Sequence, residues 1–144
     1  MKKACALFVI GSILLIPLIA ESRMGGAGPG SVPRVAYVKP QDQSVVDISD
    51  GKGVVFEWAM LPIPSGNRDS YRIVVHKGDG YDVVVDQVID PRTFSIAVPA
   101  DKFENGVTYW WYVKQRDGKT LMWSQHDIWY FEVAKRVGDS QEPE

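Results

Sequence analysis

The sequence contains a single cysteine, Cys5, which lies near the N-terminus. It precedes an apolar stretch from Ala6 to Ala20, two lysines stand before that stretch, and Ala20-Glu21-Ser22 places small residues at the spacing typical of a signal peptidase site. Cleavage after Ser22 is therefore expected to remove the only cysteine. The remaining chain then has no disulfide, although export leads to compartments where disulfides form, so its stability must come from packing.

The apolar stretch is short for a membrane anchor. A membrane-spanning helix needs about 20 apolar residues, whereas this stretch is shorter and contains Pro17. A lipoprotein signal carries its acceptor cysteine after the apolar stretch, but Cys5 stands before it. We expect an exported protein that is periplasmic, displayed on the cell surface or secreted. An uncleaved signal is the alternative, and it is the only membrane contact that the sequence predicts.

Residue types that carry chemistry are scarce. The two histidines, His76 and His126, have neither a cysteine nor ligand-spaced carboxylates beside them, which favours surface histidines over metal ligands. Asp79 and Asp82 lie among glycines but lack the spacing of a calcium-binding loop, so an ordinary hairpin turn is favoured. No serine stands in a nucleophile elbow, and no carboxylate pair comes with a cleft signature. We therefore expect no metal, no cofactor and no enzymatic activity.

Neither sign of charge dominates the sequence. It has 16 lysine and arginine residues against 18 aspartate and glutamate residues, a formal net charge of −2, and the two signs are mixed along the chain. Nucleic acids and anionic membrane surfaces are bound by clusters of basic residues. Neither is therefore expected as a partner.

Short β-prone runs separated by turn residues fill the rest of the chain, which has no amphipathic stretch long enough for a substantial helix. We divide the chain into a signal peptide (1–22), a flexible glycine-rich leader (23–31), one β-domain (32–135) and a disordered tail (136–144). The seven predicted strands are Arg34–Val38, Val54–Met60, Tyr71–His76, Tyr81–Val88, Thr93–Val98, Thr108–Lys114 and Ile128–Val133.

The alternation of residue types along these runs assigns the two faces of each strand. In the second run, Glu57 marks the outer set, so Val54, Phe56 and Trp58 are predicted to face the core. The same pattern predicts inward side chains at Tyr71, Ile73, Val75, Tyr109, Trp111, Val113, Trp129, Phe131 and Val133. Removal of residues 1–22 from the 144-residue chain leaves 122 residues, which are enough to bury one core of this kind.

The order of several short motifs resembles that of a fibronectin type III domain. A strand ends in Trp58 (VVFEW), a Tyr-x-Ile-x-Val strand begins at Tyr71, and Phe103-x-x-Gly-x-x-Tyr109 leads into a further strand. Trp123-Ser124 then precedes an aromatic last strand. The resemblance covers about Val32 to Lys135.

The resemblance implies a seven-stranded antiparallel β-sandwich of the immunoglobulin-like class. It also implies a corner at Tyr109, whose hydroxyl bonds back to the backbone near the Asn105-Gly106-Val107 turn. Such sandwiches act as binding modules, spacers or parts of larger exported proteins, so the function has to be argued from a site.

The best candidate site is the outer face of the sheet formed by the third, fourth, sixth and seventh runs. The outward residues predicted to line it are Trp110, Tyr112, Tyr130, His76 and Val74, together with Ile128. A contiguous apolar patch of this kind favours a protein partner. The alternative interpretation is that loops, the leader or the tail cover the patch, or that Trp110 only shields the edge of the sheet.

We therefore expect an exported, non-enzymatic binding or structural module that contacts another protein through this face. A carbohydrate-binding module and a subunit of an envelope assembly or extracellular filament, which would contact a glycan or a second copy, are the alternatives. Sugar-binding surfaces usually set amide and carboxylate groups beside the rings. Few such groups adjoin these aromatic residues in the sequence.

Processing of the N-terminus is directly testable. When the full chain is produced in a host that exports it, intact-mass spectrometry of the released protein should give a chain that begins at Arg23 and lacks Cys5. Replacing Ala20 with a large charged residue should block cleavage, because signal peptidase requires small residues at this spacing. Recovery of an unprocessed chain from the exported fraction would contradict the predicted cleavage.

Overall fold

The computed structural model describes residues 31–59, 61–63 and 65–136. The predicted signal peptide, most of the predicted leader and most of the predicted tail lie outside these residues. The described part contains eight strands: β1 (Ala36–Lys39), β2 (Ser44–Asp47), β3 (Val54–Ala59), β4 (Arg68–Lys77), β5 (Asp82–Ile89), β6 (Ser95–Val98), β7 (Thr108–Asp117) and β8 (Trp129–Ala134). Its one helical turn is a 3-10 turn at Ala100–Lys102, and no helix within these residues is long and apolar enough to cross a membrane.

The strands form two sheets, as the predicted sandwich requires. The three-stranded sheet has the order β1-β3-β6, and the five-stranded sheet has the order β2-β8-β7-β4-β5. The third, fourth, sixth and seventh predicted runs, now β4, β5, β7 and β8, share the five-stranded sheet as expected. The fold is therefore all-β and sandwich-like.

The predictions of seven strands and of purely antiparallel pairing are wrong for one element. β2 lies in the polar segment from Gln41 to Gly53, between the first two predicted strands, and it pairs in parallel with β8. The cause is the path of the chain, which leaves the three-stranded sheet after Lys39 and joins the edge of the other sheet. There, backbone hydrogen bonds to β8 satisfy a segment whose side chains give only a weak strand pattern.

The core lies between the two sheets and contains the side chains that alternation predicted. Phe56 of β3 packs against Trp111 of β7 with ring centroids 5.1 Å apart, and Trp58 packs against Tyr71 at 5.4 Å. The predicted inward residues of β3, β4 and β7 are all 1% exposed or less. On β8, Phe131 and Val133 are equally buried, and Trp129 is half-buried. Each large apolar side chain buried in this way contributes about 1.5 to 3 kcal/mol.

Two predicted local features are found. β4 and β5 form a hairpin whose turn begins at Gly78, where φ is 61°, a value that favours glycine. The Tyr109 hydroxyl accepts a hydrogen bond of 2.7 Å from the backbone amide of Glu104. This contact ties the start of β7 to the turn before it, as the corner geometry implies.

The hydroxyl of Tyr37 makes a contact that was not predicted. The pairing of β7 with β8 ends at Trp111 and Trp129. Further along β7, the carbonyl of Gln115 accepts a hydrogen bond from the backbone amide of Ser124, so the backbone between these points forms a gap in the pairing. In the gap, the Tyr37 hydroxyl accepts a hydrogen bond from the Val113 amide at 3.1 Å. It lies 2.8 Å from the carbonyl oxygen of Asp127 and 3.2 Å from that of Val113, so it can donate to either.

We predict that Tyr37→Phe lowers the free energy of unfolding by about 1 to 3 kcal/mol, because buried backbone groups of β7 lose their partner. The matched control is Tyr130→Phe, since the Tyr130 side chain is 46% exposed; that change should stay within about 0.5 kcal/mol. Urea unfolding followed by tryptophan fluorescence measures both. Equal stability of the two variants would contradict this role of the Tyr37 hydroxyl.

Candidate functional site

The outer face of the five-stranded sheet carries aromatic side chains because β7 is aromatic on both sides. Tyr109, Trp111 and Val113 point into the core, so Trp110 and Tyr112 point outward between them. On the neighbouring strands, His76 of β4 and Tyr130 of β8 stand directly opposite Trp110. Residues directly opposite each other on paired strands share a face of the sheet. The structure therefore brings the predicted residues of β4, β7 and β8 together.

Four rings on this face form a connected series, which we call the ring ladder: His76, Trp110, Tyr112 and His126. The His76 and Trp110 rings are stacked, with centroids 3.7 Å apart and planes at 9°. Trp110 and Tyr112 are 6.3 Å apart at 24°, and Tyr112 and His126 are 4.0 Å apart at 30°. Each of the two large aromatic rings thus has one histidine ring packed beside it.

The stacked contacts cover part of the Trp110 and Tyr112 rings. The parallel contact at 3.7 Å places the His76 ring against one face of Trp110, and the His126 ring packs against Tyr112 at 4.0 Å. Trp110 and Tyr112 are both only partly exposed. The ladder therefore presents partly covered rings rather than two fully exposed ring faces.

Two residues of the predicted patch are less accessible than the sequence indicated. Val74 and His76 lie on the outer face, but they are only 3% and 8% exposed. β4 lies inside the sheet, with Tyr112 and Trp110 of β7 directly opposite Val74 and His76, and the Trp110 ring stacks on His76. They form the floor of the face. Within the described part of the chain, the buried Nδ1 atom of His76 has no hydrogen-bond partner.

Charged side chains border the ladder. The Lys114 ammonium lies 5.2 Å from the centre of the Tyr112 ring, a distance at which a cation and a ring attract each other. Arg72 donates two hydrogen bonds, of 2.8 and 2.7 Å, to the carboxylate of Asp86. Those hydrogen bonds hold the pKa of Asp86 below its usual range. The carboxylate therefore stays ionised beside the face.

Tyr130 is the most exposed of the predicted site residues. It is 46% exposed, and Ile128 just before β8 is 43% exposed. A shallow hollow of about 210 Å³ opens beside Tyr130 and is also lined by Val45, Thr108 and Glu132. This part of the face combines a projecting ring with a depression, which suits contact with an uneven surface.

His126 belongs to the site although the sequence indicated only an ordinary surface histidine. It lies outside the strands, in the segment where the chain bends away from β7, so no alternation could assign its direction. The nearest signal is the spacing between Trp123-Ser124 and β8, which leaves room for such a bend. Arg34 contacts Asp127 and Gln125 in the same segment and helps to hold it in place.

The side chains of this face are aromatic rings bordered by charged groups. Among residues 31–59, 61–63 and 65–136, no group of three or more histidine, cysteine, aspartate or glutamate side chains could hold a metal ion. A larger groove, of about 480 Å³, lies between β2 and β3, but none of the ladder residues lines it. No protein-family model matches the chain, and no curated protein matches its sequence significantly.

The environment of His126 gives a test of the ladder in solution. Its pKa is lowered from 6.5, first because burial disfavours the charged ring and second because Lys114 repels the charge. Since the unfolded chain then binds the proton more readily, the contribution of His126 to stability falls as the pH drops below 6.5. An NMR titration of the imidazole should give a midpoint below 6.5, and Lys114→Ala should raise it. Lys135→Ala serves as the control and should leave it unchanged; a midpoint at or above 6.5 would contradict the packed position of His126.

Proposed function

We propose that this chain is an exported, non-enzymatic binding module that contacts another protein through the outer face of its five-stranded sheet. The observation that carries the proposal is the ring ladder with the half-exposed Tyr130 beside it. Tryptophan and tyrosine are enriched among the residues that dominate binding energies at protein interfaces. Export, to the periplasm, the cell surface or the medium, rests on the N-terminal sequence pattern.

We further propose that the domain is of the fibronectin type III kind. The strand order supports this: β1, β3 and β6 pair in one sheet, while β7 lies between β4 and β8 in the other. In immunoglobulin-like sandwiches the first, second and fifth strands lie in one sheet, and the third, sixth and seventh lie in the other. When β2 is left out of the count, these strands correspond to β1, β3 and β6 and to β4, β7 and β8. The Tyr109 corner and a domain without cysteine agree with that kind of sandwich. The extra strand β2 is an addition at the edge.

A protein partner is favoured over a glycan because the rings are partly covered. Sugars stack on flat, exposed aromatic faces, whereas Trp110 and Tyr112 are only partly exposed and each has one ring face against a histidine. Tryptophan and tyrosine side chains carry a polar group beside apolar carbon, and the hollow beside Tyr130 can receive a side chain. This combination is typical of protein interfaces, where polar tips accompany buried apolar area.

The proposal is tested by capture of partners from native envelope and culture fractions with the exported protein as bait. A Trp110→Ala, Tyr112→Ala, Tyr130→Ala variant should lose the captured partner, because central aromatic residues each contribute about 2 kcal/mol or more to binding. The matched control is Val38→Ala, Val55→Ala, two exposed valines of the three-stranded sheet. The control should capture as much as the unaltered protein.

Two checks make the capture experiment decisive. The single change Tyr130→Ala leaves the His76 and Trp110 stack in place, so it separates loss of contact from loss of structure, and circular dichroism verifies folding of every variant. Equal capture by the unaltered and triply altered proteins would contradict the proposal. If the unaltered protein binds a glycan array and the triple variant does not, the partner is a carbohydrate rather than a protein.

A further inference from the structure

β5 forms one edge of the five-stranded sheet and pairs only with β4 among the described residues. It is eight residues long and contains no proline, glycine or lysine. Two of its four valines are exposed, Val83 at 53% and Val88 at 65%. A strand edge of this type offers unpaired backbone amides and carbonyls to any further strand.

The other three sheet edges found in the described residues are shielded, whereas β5 is not. β1, β2 and β6 are each four residues long, and very short edge strands resist the addition of another strand. β1 has a register shift in its pairing with β3, and Pro99 follows β6 directly. β5 has one register shift, opposite Val75 and His76, which leaves Val85–Ile89 as a regular edge.

Repulsion between aspartate side chains limits the registers in which a second β5 strand could pair with this regular segment. In a symmetric antiparallel pair of identical strands, one residue lies on the two-fold axis and stands opposite its own copy. That residue defines which other residues are opposite each other. With Asp86 on the axis, two carboxylates would face each other; with Val88 on the axis, Asp86 would face Asp90. With Gln87 on the axis, Asp86 faces Val88, Val85 faces Ile89, and the two Gln87 amides meet.

The same register fits the exposure of these side chains. Gln87 lies opposite Ile73, on the core side of the sheet, yet it is exposed. It therefore has room to meet the Gln87 of a second copy. Asp86 is already paired with Arg72, so facing Val88 of the second copy does not leave its charge without a partner.

We propose that two copies of this chain associate through β5, in antiparallel register with Gln87 on the two-fold axis, to form one continuous sheet. The axis is perpendicular to the sheet, so both ring ladders lie on the same side of the pair. A contact of five residues on each strand buries less surface than a standard protein interface, which buries about 1,600 Å². The association is therefore weak and depends on concentration.

The test is sedimentation of the exported protein over a concentration series that extends into the millimolar range. Val88→Asp places an aspartate opposite Asp86 twice in the pair and should weaken association about tenfold or more, because directly opposed like charges destabilise a sheet. Val88→Lys places the opposite charge there and should leave association equal or stronger. Val55→Asp, the same change at an exposed valine of β3, is the control and should have no effect.

A crosslink tests the register itself. With Cys5 replaced by serine, Gln87→Cys should form a disulfide-linked pair under mild oxidation, because opposed residues lie within disulfide range. Val88→Cys is the matched control and should link far less. A monomer at every concentration, equal effects of Val88→Asp and Val88→Lys, or stronger linking at position 88 would each overturn the proposal. Tyr130→Ala should associate like the unaltered protein, so failure of the proposed ladder contact is distinguishable from failure of this one.

Discussion

The outer face depends on the contact between the Tyr37 hydroxyl and the backbone of the opposite sheet. β8 leaves β7 beyond the Trp111 and Trp129 pair, and the hydroxyl bonds Val113 in the gap. The same hydroxyl lies 2.8 Å from the carbonyl oxygen of Asp127. Because His126 precedes Asp127, this contact also helps to hold the histidine that packs on Tyr112. A side chain of the three-stranded sheet thus supports one end of a ladder on the far side of the five-stranded sheet.

β7 is aromatic on both faces, and the apolar area of its side chains is covered differently on each face. On the core side, Tyr109 and Trp111 are fully buried between the sheets. On the outer side, the rings pack on one another and on two histidines, and such pairs contribute about 0.5 to 1.5 kcal/mol beyond the area they bury. His76 is buried and Trp110 and Tyr112 are only partly exposed, so the ladder leaves less apolar area exposed than its number of rings suggests. Large exposed apolar surfaces are rare on proteins that remain monomeric.

The alternation of residue types predicted most of the sheets and the core, because it follows directly from strand geometry. Val54, Phe56 and Trp58 face inward for this reason, and Trp110 and Tyr112 face outward. Alternation could not predict β2, whose pairing depends on the path of the chain after Lys39. Nor could it predict that neighbouring strands would bury His76, or that His126 would pack on Tyr112, since both contacts join residues distant in sequence.

Site-specific photo-crosslinking in the native envelope and culture fractions is the most direct test of whether the ladder face binds a protein. A photoreactive phenylalanine derivative takes the place of Tyr130, which keeps an aromatic ring at the exposed end of the face, and the same group at Val55 samples the opposite sheet. We expect a covalent adduct with a protein from position 130 and none from position 55. Adducts from both positions alike, or from neither, would contradict the assignment of the ladder face as the binding surface.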